Sequence, residues 1–146
     1  MAISGWLFDG LGRTGDGGAI GAGPTLKPSG AIAMIEGDAV VKQAIMMLLS
    51  TSPGERVMRP DYGCALNRLV FEPNDATTAG LAIHYVRQAL IRWEPRIEIL
   101  RIDTRSGSNG DRSDDGHNLY LDLYYRVRAS RQMQQITMNI DLEGDR

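Results

Sequence analysis

Arginines and carboxylates are concentrated at two chain reversals, where they could form ion pairs within the chain or with another protein. The first segment is Gly54-Glu55-Arg56-Val57-Met58-Arg59-Pro60-Asp61-Tyr62-Gly63, and the second is Trp93-Glu94-Pro95-Arg96. Pro and Gly set the chain direction in both, so a rigid turn can present a charged fork to another protein. The pattern favours protein recognition over catalysis. We also expect one carboxylate–arginine contact at Arg56 or Asp61 to lie within the chain.

Three other patterns that could bind a ligand lack the partners that their chemistry needs. Residues 10–15 match the dinucleotide fingerprint, but no hydrophobic strand precedes them and no helix begins at the glycines. The Asp-rich segment 111–115 lacks the alternating oxygen ligands of a calcium loop that close on a distant Glu. His84 and His117 have no second His or Cys at metal-ligand spacing. The sequence therefore predicts no cofactor and no metal ion.

Composition places the chain among ordinary soluble domains. With 146 residues it is long enough for one domain with a tail, and a formal net charge of -2 gives no electrostatic reason to bind nucleic acid. Cys64 is the only cysteine, so no internal disulfide can form. Neither a secretory signal nor an apolar run of membrane-spanning length is present, and we expect synthesis in a cytoplasm and no membrane partner.

Helical spacing of apolar residues predicts a first helix over about 38–50, with Asp38 as its N-cap. Pro53 and Gly54 end it, because Pro lacks the helical donor and Gly relaxes the backbone into a turn. The following segment, 56–62, is predicted to be extended.

A second helix is predicted to begin at Asn74 or Asp75 as cap and to run to Trp93. Pro95 stops it, since the residue before a proline is biased away from helical geometry.

From residue 97 the apolar period changes to two, which predicts three strands. Residues 97–104 form a strand with apolar residues on both faces, as in a strand flanked on each side. Residues 119–127 and 136–142 alternate strictly and predict two half-buried strands joined by a turn near 130–132. The element order indicates an α+β fold, with two main helices packed on one face of a small antiparallel three-stranded sheet.

The N-terminal residues 1–35 are predicted to be a flexible, Gly-rich arm, and 36–146 the folded domain. Trp6, Leu7 and Phe8 interrupt the arm as an apolar cluster. This cluster could either dock onto a neighbouring protein or fold back on the chain's own domain.

The two charged turns, with the element order around them, resemble those of the baseplate wedge proteins of contractile phage tails. That family is often labelled lysozyme-like and has relatives in type VI secretion and in phage-tail-like injection particles. Its members carry a Gly-Glu-Arg…Pro-Asp-(aromatic)-Gly turn after the first helix and a Glu-Pro-Arg at the end of the next. Both are intact here, and the resemblance covers about residues 36–142.

The resemblance implies a structural subunit that links the baseplate wedge to the first sheath ring and templates sheath assembly. Glu94, Pro95 and Arg96 would then dock onto other wedge subunits, and the N-terminal arm could reach the inner tube or the spike hub. From the residues alone, Glu94 and Arg96 are a pair of exposed charges of little weight in folding. The particle type and the copy number stay open.

The C-terminal strands resemble the sheath protein's handshake domain, in which strands of neighbouring subunits complete one another's sheets. An open edge at 136–142, which carries Thr137 and Asn139, or at 97–104 could accept a sheath strand through main-chain hydrogen bonds. The residues that could fix its register are Tyr120, Tyr124, Arg126 and Arg128. An ordinary solvated face with cross-strand pairs is the alternative for each of these four.

The lysozyme-like label raises a competing hypothesis, a tail-associated cell-wall glycosidase that uses two of the carboxylates Glu55, Asp61, Glu72 and Glu94. A retaining glycosidase needs one carboxyl group kept protonated by an apolar pocket. Three of these carboxylates lie within two residues of an arginine, which favours the ionised form. The sequence therefore predicts that the chain is not an enzyme.

Overall fold

Two helices and a three-stranded antiparallel sheet carry the fold in the computed structural model, which describes residues 4–6, 8–9, 23–24, 27–31, 34–106 and 117–143. The elements in chain order are β1 Ser4–Trp6, β2 Phe8–Asp9, β3 Gly23–Pro24, β4 Met34–Glu36, α1 Asp38–Ser50, a 3-10 helix Ala65–Leu69, α2 Ala76–Trp93, β5 Ile97–Ser106, β6 Asn118–Val127 and β7 Met133–Asp141. The predicted α+β class is confirmed.

Much of the predicted flexible arm, 1–35, and all of the Asp-rich segment 111–115 lie outside the described residues. Where the arm is described, β1 pairs antiparallel with β4, with Trp6 opposite Met34, and β2 pairs with β3. The backbone of Trp6 is therefore paired within its own chain.

Helix α1 has the predicted bounds but a different cap. Gly37, with a φ of 67°, occupies the N-cap position, and no side chain caps the helix. The carboxylate of Asp38 instead accepts hydrogen bonds from Ser130 Oγ at 2.7 Å and Gln134 Nε2 at 3.4 Å. The predicted Asp38 cap was wrong because this side chain ties the start of α1 to the β6–β7 hairpin.

Helix α2 begins and ends where the sequence predicts. Asp75 is the N-cap, and its carboxylate accepts a hydrogen bond from Thr78 N at 2.8 Å, which lowers the pKa of Asp75. At the other end the Glu94 amide donates to Leu90 O at 2.9 Å, and Pro95 follows.

The sheet has the order β5-β6-β7, and α2 packs against β5 and β6. Each of its strands sends apolar side chains to the helix side. The buried core draws on Val41, Ile45, Leu48 and Leu49 of α1, on Ala82, Val86, Ala89 and Leu90 of α2, on Leu119, Leu121, Leu123, Tyr125 and Val127 of β6, and on Ile136 and Ile140 of β7.

A β-bulge explains the irregular apolar pattern of β5. Ile97 pairs with Val127 and Ile99 with Tyr125, but the register shifts after Ile99, and Ile102 pairs with Leu123. Because of the extra residue, Ile97, Ile99 and Ile102 lie on one face of the sheet although they are spaced first two and then three residues apart. The prediction that β5 is flanked on both faces was therefore wrong.

Candidate functional site

The first charged segment lies in a compact loop between α1 and the 3-10 helix, residues 51–64, called here the turn loop. Its backbone curls through successive turns, with Arg59 N donating to Arg56 O at 3.3 Å and Tyr62 N donating to Arg59 O at 3.1 Å. The predicted extended conformation of 56–62 was wrong. Pro60 occupies the second position of the turn from Arg59 to Tyr62, where its fixed φ is favourable.

The base of the turn loop is closed by two hydrogen bonds and one close backbone approach. Cys64 N donates to Thr51 O at 2.9 Å, and Glu55 Oε2 accepts from Ser52 N at 2.8 Å. Gly63 has a φ of 131°, and a Cβ there would lie 2.4 Å from Thr51 O. No other residue fits that position without moving the backbone. Burial raises the pKa of the Cys64 thiol to about 11, as expected for a structural cysteine.

The turn loop packs against the end of α2 and so joins the two charged segments. The rings of Tyr62 and Trp93 meet edge to face, with centroids 5.3 Å apart, and the Arg56 guanidinium lies 4.6 Å from the Tyr62 centroid. Asp61 Oδ2 accepts a hydrogen bond from Arg92 Nη2 at 2.5 Å. The predicted carboxylate–arginine contact within the chain is confirmed at Asp61.

Glu94 and Arg96 form a bidentate pair around Pro95. Arg96 Nε and Nη2 donate to the two Glu94 carboxylate oxygens at 2.5 and 2.7 Å, and these hydrogen bonds raise the pKa of Arg96. Glu94 is only 5% exposed. The expectation of two exposed charges was wrong, because Glu94 lies between the end of α2 and the start of β5, beside Leu90 and Ile97.

Arg128 belongs to this end of the molecule rather than to the polar face of the sheet. Its Nε donates to Ile97 O at 3.2 Å, and its backbone N donates to Arg96 O at 2.9 Å. Arg128 thus links the β6–β7 hairpin to the chain just after Pro95.

The polar face of the sheet holds the other predicted register residues. Tyr120 lies opposite Asn139 and Tyr124 opposite Gln135, while Arg126 approaches Glu98 at 3.6 Å. Each of these three residues therefore has a cross-strand neighbour on this face.

Asp122 is a buried carboxylate on this face that the sequence did not single out. Its oxygens accept from Thr137 Oγ1 at 2.5 Å, Arg105 Nε at 2.8 Å and Gln135 Nε2 at 3.4 Å. Burial alone would raise the pKa of Asp122, but these hydrogen bonds and the Arg105 charge hold it below its usual value. Neither its burial nor its partners on β5 and β7 were visible in the sequence.

Within the described ranges, no group of His, Cys, Asp and Glu side chains could hold a metal ion. No helix there has both the length and the apolar character needed to cross a membrane.

Comparison with known proteins points to one family. A family model described as baseplate wedge protein gp25 matches residues 35–132. Baseplate protein W of Escherichia phage P2 is 30% identical over 70 residues, which are 48% of this chain and 61% of that protein, so the match spans less than two thirds of the phage protein.

Two solved structures are similar in fold. The structure of a putative tail lysozyme from Geobacter sulfurreducens has a TM-score of 0.67 and 34% identity, over 80% of this chain and 100% of that one. A chain in the anti-feeding prophage baseplate has a TM-score of 0.65 over 99% of this chain and 88% of that one. At 18% identity, the second likeness shows the fold alone.

Proposed function

The chain belongs to the baseplate wedge protein gp25 family, and we propose that it is a structural, non-catalytic subunit of the baseplate of a contractile injection machine. In this role it contacts other wedge subunits, joins them to the first sheath ring and templates sheath assembly. It is made in the bacterial cytoplasm and becomes part of the assembled particle.

The observation that carries the proposal is the junction between the turn loop and the end of α2. The Asp61–Arg92 pair, the Tyr62–Trp93 ring contact and the Glu94–Arg96 fork hold this corner in one conformation. A surface fixed before association loses little conformational entropy on binding, which suits a subunit that docks permanently. Pro95 and the outer part of Arg96 remain exposed there for wedge contacts.

For the sheath contact we favour the β7 edge over the β5 edge. In the sheet described, both are outer strands, but the bulge at Leu100 interrupts β5. Beside β7 lies a largely apolar groove of about 440 Å³, whose lining includes Met46, Leu49, Leu66 and Met138. A strand added to β7 could place alternate side chains in this groove while its backbone pairs with the edge.

Sheath assembly on baseplates that carry edge variants tests this role. Asn139→Pro removes a backbone donor, Asn139→Lys places an edge-blocking charge, and Asn139→Ala is the control that keeps the donor. Asn139 is a better position than Thr137, whose hydroxyl is bonded to the buried Asp122. The Pro and Lys variants should enter baseplates that lack sheath, and the Ala variant should support normal sheaths in electron micrographs.

Full-length sheaths on baseplates containing both blocking variants would rule out templating through β7. Thermal unfolding of each purified variant separates this result from misfolding. Failure of the wild-type chain to enter baseplates would overturn the structural role itself.

A cell-wall glycosidase is the second candidate, favoured by the likeness to the putative tail lysozyme of G. sulfurreducens. Three of its four candidate carboxylates are already engaged, since Glu94 is bonded to Arg96, Asp61 to Arg92, and Glu55 to the Ser52 amide. A carboxylate whose oxygens are taken up by arginine or amide donors of its own chain is poorly placed to reach a glycosidic oxygen. Purified chain should therefore leave the turbidity of a peptidoglycan suspension unchanged, and clearing that Glu94→Gln abolishes would establish the enzyme.

A further inference from the structure

The tip of the turn loop, residues 56–59, carries two neighbouring apolar side chains in full contact with solvent. Val57 is 91% exposed and Met58 is 93% exposed. Isolated apolar residues on a surface need no explanation, but an adjacent pair at a protruding turn is a common feature of interaction sites.

Met58 also occupies a backbone position that its side chain does not suit. It is the third residue of the turn from Arg56 to Arg59, with a φ of 67°. Gly or Asn is favoured at such a position, because a side chain of this size strains left-handed backbone. Met58 does not offset that strain by packing in its own chain, since it is almost fully exposed. Strained residues of this kind concentrate at binding sites.

An arginine flanks the apolar pair on each side, Arg56 before it and Arg59 after it. The two acidic residues of the segment are engaged, Glu55 with the Ser52 amide and Asp61 with Arg92. Arg59 forms no ion pair among the residues that the structure describes, and Arg56 stacks on a tyrosine ring. The apolar pair therefore lies between two positive charges, and complementary charge on a partner would be negative.

We propose that Val57 and Met58 insert into an apolar pocket bordered by carboxylates on another protein subunit. This inference rests on the proposed baseplate role, because it needs a permanent protein neighbour. Methionine is well suited to such a pocket, since its flexible thioether fills irregular space. Two side chains make a narrow contact, whereas stable insertion into a lipid surface needs a broad apolar face, so the structure favours a protein pocket.

Matched substitutions isolate the apolar tip from the fold. Met58→Asn removes the apolar side chain but suits the left-handed backbone, so the variant should unfold at the wild-type temperature or above. Phe71→Asn is the control, because Phe71 is also exposed, at 83%, and also has a positive φ, of 72°, outside the turn loop. Arg59→Glu and Arg59→Lys test the charge.

Binding of the purified full-length chain to baseplate particles assembled without it gives the readout. Met58→Asn should weaken binding at least about ten-fold, which corresponds to about 1.4 kcal/mol, and Phe71→Asn should bind like the wild type. Arg59→Glu should weaken binding more than Arg59→Lys, by a factor that shrinks at high salt. A photo-crosslinker in place of Val57 should attach to a different subunit.

Each opposite result overturns a distinct part of the proposal. If the wild-type chain does not bind the particles, the baseplate role fails. If it binds and Met58→Asn binds equally well, or Phe71→Asn is equally weakened, only the docking tip fails. A crosslink solely to a second copy of this chain excludes a different subunit. Flotation of the wild type, but not of Met58→Asn, with phosphatidylglycerol–phosphatidylcholine vesicles would assign the tip to lipid instead.

Discussion

Asp61 Oδ2 lies 2.5 Å from Arg92 Nη2, and this ion pair fastens the turn loop to the last turn of α2. The same guanidinium lies 5.0 Å from the centre of the Trp93 ring, which itself contacts Tyr62. Two segments that are separate in sequence therefore form one corner of the molecule. The pair is solvent-exposed, so it contributes more to the position of the turn loop than to the stability of the fold.

Arg92→Ala should loosen the turn loop without unfolding the domain. The side chains of Arg92 and Asp61 are 58% and 53% exposed, and such a pair is worth about 0–1 kcal/mol. Hydrogen exchange should speed up at the Tyr62 amide, which bonds to Arg59 O within the loop. Arg87→Ala, on the same helix, is the control. Unchanged exchange in the loop would show that its other contacts hold it without the Asp61–Arg92 pair.

Arg96→Ala should destabilise the fold, contrary to what an exposed pair would do. The substitution leaves the buried Glu94 carboxylate without its bidentate partner and should lower the free energy of unfolding by about 2–3 kcal/mol. The loss is smaller than for a fully buried pair because Arg96 is partly exposed. Chemical denaturation measures the loss. Replacing Glu94 with Gln in the same chain should recover part of it, since no unpaired charge then remains buried.

An Arg96→Ala chain with wild-type stability would show that water reaches Glu94 and compensates its charge. The docking role of Arg96 would then be measurable in isolation. If stability falls as expected, Arg96→Lys becomes the better assembly probe, because it keeps a positive charge beside Glu94 while losing the planar fork.

The secondary structure was largely predictable because its signals are local. The bounds of α1 and the cap and end of α2 follow from apolar spacing, Asp75 and Pro95, and the β6 and β7 strands follow from strict alternation. The bulge in β5 was harder to predict. A single inserted residue shifts the alternation, so apolar side chains that share one face of the sheet look in the sequence as if they belonged to both faces.

The candidate site was less predictable because burial there depends on contacts between distant segments. The local sequence around Glu94 suggests an exposed charge, and its burial becomes evident only once the end of α2 and the start of β5 are packed together. Asp122 was missed for a similar reason, since Arg105 and Thr137 come from different strands. Charged residues are seldom buried, so sequence reasoning places them outside unless their partners are known.

Gly63→Ala should be among the most damaging substitutions of a small residue in this chain. The new Cβ would lie 2.4 Å from Thr51 O, at a φ of 131° that L-residues rarely adopt. Backbone strain together with movement of the loop base should cost about 2–4 kcal/mol in the free energy of unfolding. Thermal or urea unfolding of the purified chain measures it.

Substitutions at two other glycines separate the clash of a new Cβ from the strain of a positive φ. Gly54 has a φ of 92° but open space around it, so Gly54→Ala should cost only about 1 kcal/mol of backbone strain. Gly80 lies inside α2 with nothing near its Cβ position, so Gly80→Ala should stabilise by about 0.5–1 kcal/mol. Equal losses at Gly63 and Gly54 would contradict the close approach to Thr51.

Protonation of Asp122 should account for part of the loss of stability in acid. The folded pKa of Asp122 is lower than its unfolded value of about 3.9, so its contribution is complete above that pH and is lost as the pH falls through the folded pKa. Asp122→Asn cannot ionise, and its melting temperature should fall less than that of the wild type between pH 7 and pH 3. Thr137→Val should also reduce the acid slope by removing one hydrogen bond, whereas Thr137→Ser keeps the hydroxyl and should preserve it. Identical slopes in the wild type and Asp122→Asn would mean that other carboxylates dominate acid unfolding.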